Sequence, residues 1–200
     1  YAEVAARTGL PVVRPLVLEY QDDPSVHRMD TQYLLGEDLL VAPVFTASGT
    51  RSVYLPEGEW RDHWTGERYE GGRTVEMDVA LEEMPLFVRA GSVLPQREPT
   101  QSVQAGTPEE LELDVTLADG EASGRFYDVD ADELCDLGVT AEDGTLSVDI
   151  GAVSADTVRV TVRDGTAERV RIDGEAAAEV DAAPAAGEWT ATEDGLLVVV

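Results

Sequence analysis

The sequence predicts a mainly β protein that opens with a short α/β segment. The apolar run LPVVRPLVLEY over residues 10–20 lies between two helix-like segments, and such a run is typical of a buried parallel strand. After residue 37 apolar and polar residues alternate with a period of two, which is typical of strands with one buried face. Pro, Gln, Thr and Gly cluster over residues 96–110 and indicate a boundary. We therefore expect an α/β segment over 1–36 and two antiparallel β-sandwich domains over 37–96 and 97–200.

The 1–36 segment is predicted to contain helix, strand and helix in that order. The opening YAEVAARTG indicates the end of a helix stopped by Gly9 in the left-handed conformation. Asp30 is a suitable N-cap for a short helix through Leu35, which Gly36 would end. The following DLLVAPV is expected to be a strand. The sequence does not open on Met, so we expect it to be part of a longer protein.

The remaining chain is predicted to be strands joined by tight turns. The segments that alternate or end in turn residues are RTVEMDV, FVRAGSVLP, LELDVTL, LSVDI and VRVTV. FVRAGSVLP is expected to form two short strands about a glycine turn. Asp164-Gly165, Asp173-Gly174 and Asp194-Gly195 are dipeptides of the kind that hairpins use. Apart from the short helix that Asp30 would cap, no segment after Asp30 predicts a helix.

The charge composition limits the partners that the protein can have. The sequence holds 41 acidic and 14 basic residues, all of the latter Arg, for a net charge of −27. Nucleic acids and anionic membranes are excluded as expected partners because both require basic patches. An acidic, lysine-free chain indicates a halophilic source, since molar salt screens its self-repulsion; an acidic bias in a GC-rich mesophile is the alternative. No run approaches about 18 apolar residues and no signal-peptide pattern is visible, which favours a cytoplasmic location.

Two groups of acidic residues could carry chemistry. Asp22 and Asp23 follow the predicted parallel strand, where barrel enzymes place functional loops, and could act as acid and base; a polar turn before Pro24 is the favoured interpretation. Asp128, Asp130 and Asp132 have the spacing of a calcium loop, but Glu133 replaces the required glycine and Val139 the bidentate acid. We therefore expect neither group to form a catalytic or metal site.

The remaining candidates are aromatic residues, histidines and one cysteine. Trp60, Trp64 and Tyr69 could stack on sugar rings, although the Thr65-Gly66 turn between them favours a structural hairpin. His27 and His63 have no Cys or His at ligand spacing, so zinc is not expected, and Cys135 is interpreted as a core residue. No phosphate-binding loop or nucleophile elbow is present.

Four blocks of the sequence, taken together, resemble a known enzyme family. They are LPVVRPLVLEYQDDP, DTQYLLGEDLLVAPV, RSVYLPEGEWRDHWTGERYEGG and MPLFVRAGSVLP, in this order across residues 10–95. They are similar to the C-terminal part of family 31 glycoside hydrolases, the retaining α-glucosidases and α-xylosidases. GRFYDVDADEL resembles the start of the acidic segment of that family's distal β-domain, without its glycine.

The resemblance implies a place for each segment. Residues 10–20 would be the eighth strand of a (β/α)8 barrel, residues 30–36 its last helix, and DLLVAPV the first strand of a proximal β-sandwich. The family's catalytic aspartates belong to earlier barrel strands, so no catalytic role is transferred to Glu19, Asp22 or Asp23. Neither metal nor organic cofactor is implied.

The implied activity belongs to the longer protein. It would cleave a terminal α-glycoside by double displacement, binding an oligosaccharide or α-glycoside through the upstream barrel. The resemblance implies an α-glucosidase first and an α-xylosidase next. The alternative is a stand-alone carbohydrate-binding or structural β-sandwich module.

Overall fold

The computed structural model describes residues 1–101, 106–181 and 183–200. These residues form two compact units, Tyr1–Ala90 and Gly91–Val200. Within the described ranges the chain is mainly β, with a single α-helix, α1 (Ala2–Thr8), and two 3-10 helices, Leu16–Leu18 and Pro24–Val26. The prediction that no helix follows the one expected over residues 30–36 is confirmed for these ranges. No described helix is long and apolar enough to cross a membrane.

Helix α1 ends where the sequence predicts. Gly9 has φ 79° and ψ −1°, and its N–H donates to the carbonyl oxygen of Ala5. A residue with a Cβ would be strained in this left-handed conformation, whereas glycine adopts it without cost.

The first unit contains eight strands in two sheets. Their bounds are β1 (Val13–Arg14), β2 (Tyr33–Leu35), β3 (Leu39–Val41), β4 (Thr50–Leu55), β5 (Glu59–Asp62), β6 (Arg68–Glu70), β7 (Arg73–Asp78) and β8 (Leu86–Arg89). Six strands form a sheet in the order β1-β2-β3-β8-β5-β6, and β4 pairs with β7 in a second sheet. All pairings in this unit are antiparallel.

The prediction of one parallel strand over residues 10–20 is wrong. Only Val13 and Arg14 form a strand, which pairs antiparallel with Leu34–Leu35 of β2, and Leu16–Leu18 turn into a 3-10 helix. Pro11 and Pro15 flank the two strand residues and have no N–H to donate to a ladder. The apolar character of the run therefore reflects burial of Leu16 in the core and not a long strand.

The predicted helix over residues 30–36 is also wrong. Tyr33–Leu35 form β2, which turns through Gly36 (φ 67°) and pairs antiparallel with Leu39–Val41. The leucines on both sides of the Gly36–Asp38 turn face each other across this hairpin. Strand pairing of both halves therefore outweighs the N-cap signal of Asp30.

The core of the first unit joins the two sheets to the N-terminal segment. Val53 and Leu55 of β4 lie in one hydrophobic cluster with Trp60 and Phe87 of the larger sheet. Leu16, Val26 and Leu34 belong to the same cluster and are almost completely buried. Residues 1–36 thus share a core with residues 37–90.

The described residues of the second unit form one continuous sheet of eleven strands. Their bounds are β9 (Ser92–Gln96), β10 (Glu110–Thr116), β11 (Glu121–Asp128), β12 (Glu133–Glu142), β13 (Thr145–Asp149), β14 (Thr157–Arg163), β15 (Arg169–Ile172), β16 (Glu175–Ala176), β17 (Ala178–Glu179), β18 (Glu188–Thr192) and β19 (Gly195–Val199). The order is β16-β15-β13-β12-β11-β9-β10-β14-β19-β18-β17. Parallel pairs join β9 to β11, β10 to β14, β13 to β15 and β17 to β18, so the sheet is mixed and not antiparallel as predicted.

Alternation along the strands builds the core of this unit. Leu111, Leu113 and Val115 of β10 are buried and lie directly opposite three buried valines of β14. The residues between them, Glu112 and Asp114, lie on the opposite face of the sheet, as a period of two requires, and Asp114 is buried there. The sequence does not predict the parallel pairing, because side chains alternate with a period of two in parallel and antiparallel sheets alike.

The turn predictions are confirmed in part. Asp173-Gly174 closes a two-residue hairpin between β15 and β16, with φ 46° and 84°. Asp194 lies in the turn between β18 and β19. Asp164-Gly165 joins β14 to β15, which do not pair with each other, so it is a turn but not a hairpin.

The two predicted strands in FVRAGSVLP exist, but they belong to different units. β8 ends at Arg89 in the first sheet, and β9 starts at Ser92 and pairs with β10 in the second. The two compact units meet at Ala90–Gly91, and the domain boundary near residue 96 stays a prediction. Part of the predicted boundary segment, residues 102–105, lies outside the described residues.

Candidate functional site

Residues 19–28, which we call the tethered loop, contain both members of the predicted acid–base pair. Asp23 Oδ1 accepts a hydrogen bond from the Ser25 N–H at 2.9 Å, and its Oδ2 accepts one from the Tyr54 hydroxyl at 2.6 Å. The hydrogen bond from Tyr54 is the main reason that the pKa of Asp23 lies below its usual range. Asp23 therefore caps a 3-10 helix and binds β4, while Asp22 is exposed. The two side chains therefore have separate environments.

The start of the loop is held by two arginines. The buried Arg14 forms an ion pair with Glu19 at 2.7 Å. The Arg89 guanidinium donates to the Tyr20 hydroxyl and lies 5.4 Å from the centre of the Tyr20 ring and 5.7 Å from that of Trp60. These distances are within the range of cation–π attraction. Glu19 and Tyr20 are thus fixed to the first unit's sheet.

The end of the loop is held by packing and by a closing hydrogen bond. Val26 is almost completely buried in the core of the first unit. The His27 Nε2 atom lies 2.8 Å from the carbonyl oxygen of Gln21. It donates a hydrogen bond to this oxygen in the tautomer that carries the proton on Nε2. His27 therefore has a structural role within the loop.

The aromatic hairpin of residues 60–69 divides into buried and exposed members. Trp60 is fully buried, and its Nε1–H donates to the carbonyl oxygen of Pro56 at 2.9 Å. Tyr69 packs edge-on against Phe87, with 5.7 Å between the ring centroids. Its hydroxyl donates a hydrogen bond to the Glu67 carboxylate. Burial and this carboxylate raise the pKa of Tyr69 to about 12. Trp60 has no exposed face for a sugar, so the sugar-stacking hypothesis is wrong for this ring, whereas Tyr69 is partly buried against the core.

Trp64 remains exposed. Its side chain is 54% accessible, and its Nε1–H donates to the carbonyl oxygen of Met84 at 2.7 Å. The His63 ring lies edge-on to the indole at 4.9 Å. Asp62, which is buried, accepts from the N–H groups of Trp64 and Thr65 and fixes the turn. Trp64 therefore presents a rigid aromatic surface.

The calcium-like triplet Asp128, Asp130 and Asp132 is part of a hydrogen-bonded cluster in the second unit. The buried Asp128 carboxylate accepts hydrogen bonds from the Thr107 hydroxyl at 2.6 Å and from the N–H groups of Asp130, Ala131 and Ser154. Desolvation raises the pKa of Asp128, but these hydrogen bonds outweigh it and the net pKa is well below its usual range.

The other two members of the triplet are also used by the protein. Asp130 accepts from the Thr107 N–H, and Asp132 from the Tyr127 hydroxyl at 2.6 Å. In the described residues no three His, Cys, Asp or Glu side chains are grouped to hold a metal ion. His27, His63 and the buried Cys135 lie apart from one another in the sequence and in their contacts.

The sequence of this chain is similar to those of known proteins. The model of the glycosyl hydrolase family 31 C-terminal domain matches residues 9–94, which span almost all of the first unit. Residues 9–94 therefore form a C-terminal domain of the glycosyl hydrolase family 31 type. α-Glucosidase 2 from Bacillus thermoamyloliquefaciens is 44% identical over 91 residues, which are 45% of this chain and 12% of that protein. α-Xylosidase XylQ from Lactiplantibacillus pentosus is 31% identical over 182 residues, 88% of this chain and 24% of that protein.

The fold similarity to family 31 extends over both units. The dextranase of Flavobacterium johnsoniae, solved with isomaltotriose, covers 100% of this chain with a TM-score of 0.85 and 25% identity, and the match is 29% of its own length. The curated relatives are much longer than this chain, which spans 10% of the first of them and 24% of XylQ.

Three residues that hold the tethered loop were not singled out from the sequence. Tyr54 and Arg89 contact the loop directly, and the buried Gln32 pairs with both backbone groups of Tyr54, at 2.6 and 3.0 Å. An arginine at the end of the apolar strand LFVR was the available signal, because a charged residue in such a strand is expected to have a specific partner. The partner itself lies 69 positions away and is visible only in the fold.

Proposed function

We propose that this chain forms the C-terminal part of a retaining α-glycosidase that hydrolyses terminal α-glycosidic bonds, in α-glucosides first and α-xylosides next. The match of residues 9–94 to the family 31 C-terminal domain carries this proposal. Similarity to an α-glucosidase and to an α-xylosidase supports both substrate classes.

The proposed reaction needs two carboxyl groups that this chain does not supply. A retaining enzyme uses one carboxylate as nucleophile and a second carboxylic acid to protonate the leaving oxygen, about 5 Å apart. Asp23 and Asp128, the most strongly hydrogen-bonded of the candidate acids, are occupied by donors of their own units. We propose that both catalytic aspartates lie upstream of Tyr1, and that the substrate binds there.

A barrel that ends in the N-terminal segment is part of the same proposal. β1 is the first strand in its sheet and has a strand partner on one side only among the described residues. Leu10, Val13 and Leu18 around it are 42%, 54% and 40% exposed. An open strand edge with exposed apolar side chains is a surface that a neighbouring strand or helix would cover.

The test is hydrolysis of aryl α-glucoside and aryl α-xyloside by the full-length protein and by residues 1–200. We expect turnover with retained anomeric configuration for the full-length protein and none for residues 1–200. Turnover by purified residues 1–200 that disappears in an Asp22→Asn or Asp23→Asn variant would contradict the upstream location of the site. A full-length protein that hydrolyses neither substrate would contradict the glycosidase proposal.

A carbohydrate-binding module is the second candidate, and exposed Trp64 favours it. An indole held by Met84 and His63 could stack on a neutral sugar, which the net charge of −27 would not repel. Titration of residues 1–200 with maltose and isomaltose, followed by Trp fluorescence, tests this role. Binding that Trp64→Ala abolishes would support the module.

A further inference from the structure

One short segment joins the two ends of the eleven-stranded sheet in the second unit. Residues 175–177 pair with β15, and the Ala177 N–H donates to the carbonyl oxygen of Val170 at 2.9 Å. Residues 178–180 pair with β18 near the other end of the sheet, and the Val180 N–H donates to the carbonyl oxygen of Trp189 at 2.9 Å. The chain therefore changes its strand partner directly after Ala177.

A pocket of about 230 Å³ lies at this change of partner, and we call it the seam pocket. Val170 and Trp189, which are almost completely buried, line its inner wall. The charged residues that line it are Glu168, Arg169, Arg171 and Glu179. Its volume corresponds to roughly eight water molecules and is below the roughly 300–1,000 Å³ of sites for drug-sized ligands. The seam pocket therefore suits a ligand of one small ring.

The two arginines of the seam pocket form no ion pair with a carboxylate of the described residues, although the unit holds 25 acidic and 6 basic residues. Arg169 donates to the Thr145 hydroxyl and to the Asp143 carbonyl oxygen, both at 3.2 Å. Arg171 donates twice to the carbonyl oxygen of Gly174. Because a guanidinium has five N–H donors, both arginines can still donate to oxygen atoms of a ligand.

The charges around the seam pocket select the class of ligand. Two guanidinium groups balance two carboxylates, so the lining is neutral as a whole within a strongly acidic unit. An anionic ligand would be repelled by Glu168, Glu179 and the rest of the unit, and a cationic ligand by the two arginines. A neutral ligand with several hydroxyl groups meets no such repulsion, because a hydroxyl can accept from a guanidinium and donate to a carboxylate.

We propose that the seam pocket binds one ring of a neutral sugar. The hydroxyl groups of the ring contact the four charged side chains, and its C–H groups contact the inner wall at Val170 and Trp189. This inference goes beyond the proposed function, because binding at the seam pocket involves no hydrolysis. It assigns carbohydrate recognition to the second unit, in addition to the exposed Trp64 of the first.

The experiment follows the indole N–H signals of the isotope-labelled chain by NMR while a ligand is added. Trp60 and Trp64 report on the first unit, and Trp189 reports on the seam pocket. Three ligands share one ring and differ in charge: methyl α-glucoside is neutral, glucuronate is an anion and protonated glucosamine is a cation. We expect methyl α-glucoside to shift the Trp189 signal saturably, with a dissociation constant on the order of millimolar. Each charged analogue should bind about 3- to 5-fold more weakly.

Two variants test the charged lining. Arg169→Ala should weaken binding of methyl α-glucoside about 10-fold, because it removes a charged hydrogen-bond donor. Arg159→Ala is the matched control, since it removes the same charge from β14, where Arg159 lies 3.9 Å from the Glu110 carboxylate, and it should leave the affinity unchanged. Glu179→Gln gives the lining a net positive charge and should raise the affinity for glucuronate about 3-fold relative to that for methyl α-glucoside. This variant tests the inference without disturbing the contacts of Arg169 with Thr145.

Four results would overturn the inference. They are a Trp189 signal that methyl α-glucoside does not shift saturably, an affinity that Arg169→Ala and Arg159→Ala lower equally, a glucuronate preference that Glu179→Gln leaves unchanged, and tighter binding of glucuronate than of methyl α-glucoside by the wild-type chain. The last result would make the seam pocket an anion site. A shift of the Trp64 signal alone falls under the first result and would support sugar binding by the first unit. Because binding is measured directly, these results do not affect the hydrolysis test of the proposed function.

Discussion

The two units bury their apolar side chains in different ways. The first unit places two large aromatic rings, Trp60 and Phe87, at the centre of its core and buries Arg14, Gln32 and Asp62 beside them. The core of the second unit is mostly valine and leucine on alternating strand positions, with Trp189 as its one buried ring among the described residues. The first core depends on particular side chains, whereas the second depends on a repeated pattern.

This difference explains how each unit resembles its relatives. The family model matches residues 9–94, where individual side chains have specific partners. The fold similarity covers 100% of the chain at only 25% identity. A patterned aliphatic core accepts many substitutions of similar volume, so its fold is retained while its sequence changes.

Replacing each tryptophan in turn should separate the two units most clearly. Trp60→Ala removes a fully buried ring together with its hydrogen bond to Pro56, and we expect a loss of about 3–5 kcal/mol in the unfolding free energy of the first unit. Trp189→Ala should affect the second unit in the same way. Hydrogen exchange followed by mass spectrometry across a denaturant series measures each unit separately.

The third tryptophan provides the control for this comparison. Trp64 is 54% exposed, so Trp64→Ala should change the unfolding free energy by less than about 1 kcal/mol. If Trp60→Ala lowered the protection of both units equally, the chain would unfold as one cooperative body and the comparison of two cores would fail.

The buried carboxylate of the second unit should produce the next largest effect. Asp128→Asn leaves at least one of the N–H and O–H groups around it without an acceptor, which we expect to cost about 2–3 kcal/mol at pH 7. Asp132→Asn is the matched control because it keeps an acceptor for Tyr127 and tolerates the positive φ of 54°.

The effect of Asp128 should depend on pH in a defined direction. Its folded-state pKa lies below its unfolded value of about 3.9, so its contribution is fully present above pH 4. The contribution is lost as the pH falls below 4 toward the folded-state pKa. The difference between wild type and Asp128→Asn in denaturant midpoint should therefore shrink between pH 4 and pH 2.5. A difference that stays constant over this range would assign the loss to packing and not to charge.

The sequence predicted the strands of the second unit better than the elements of the first. Alternation in LELDVTL and VRVTV identified β10 and β14 because one-sided burial repeats every second residue. It could not identify their parallel pairing, since the pattern is the same in either direction. In the first unit, the predictions for residues 10–20 and 30–36 are wrong because their structure depends on distant partners. β2 pairs with β1 and β3, and Leu16 lies in the same core cluster as Trp60.

In the candidate site, too, the sequence predicted local features but not contacts between distant residues. Local signals correctly favoured a turn at Asp23, whose carboxylate accepts from the N–H group of Ser25 two positions along the chain. The contacts from Tyr54 and Arg89 cross 31 and 69 positions and have no local signal. Long-range tethering of a loop is thus the part of the site that only the fold provides.

The salt dependence of the unfolding midpoint should differ between the two units because their charges differ, and this is the smallest of the expected effects. Residues 1–90 hold 16 acidic and 8 basic residues, whereas residues 91–200 hold 25 acidic and 6 basic residues. Self-repulsion is therefore concentrated in the second unit, and ions screen it because the Debye length falls from about 10 Å at 0.1 M to about 3 Å at 1 M. We expect the unfolding midpoint of the second unit to rise by about 4–8 °C over this range, equivalent to ~1 kcal/mol, and that of the first unit to rise less.

Charge reversal tests whether screening is the cause of that rise. Two matched variants each replace four exposed acidic residues by Lys: Glu121, Glu142, Asp149 and Glu179 in the second unit, and Glu57, Glu76, Glu82 and Glu83 in the first. Only the first of these variants should flatten the salt dependence of the second unit below 1 M potassium chloride. Above 1 M screening is nearly complete, so any further rise reflects stronger apolar burial and should survive in both variants. If the unfolding midpoint of the second unit were the same at 0.1 M and 3 M salt, the acidic excess would be a compositional bias without effect on stability. The inference of a halophilic source would then be wrong.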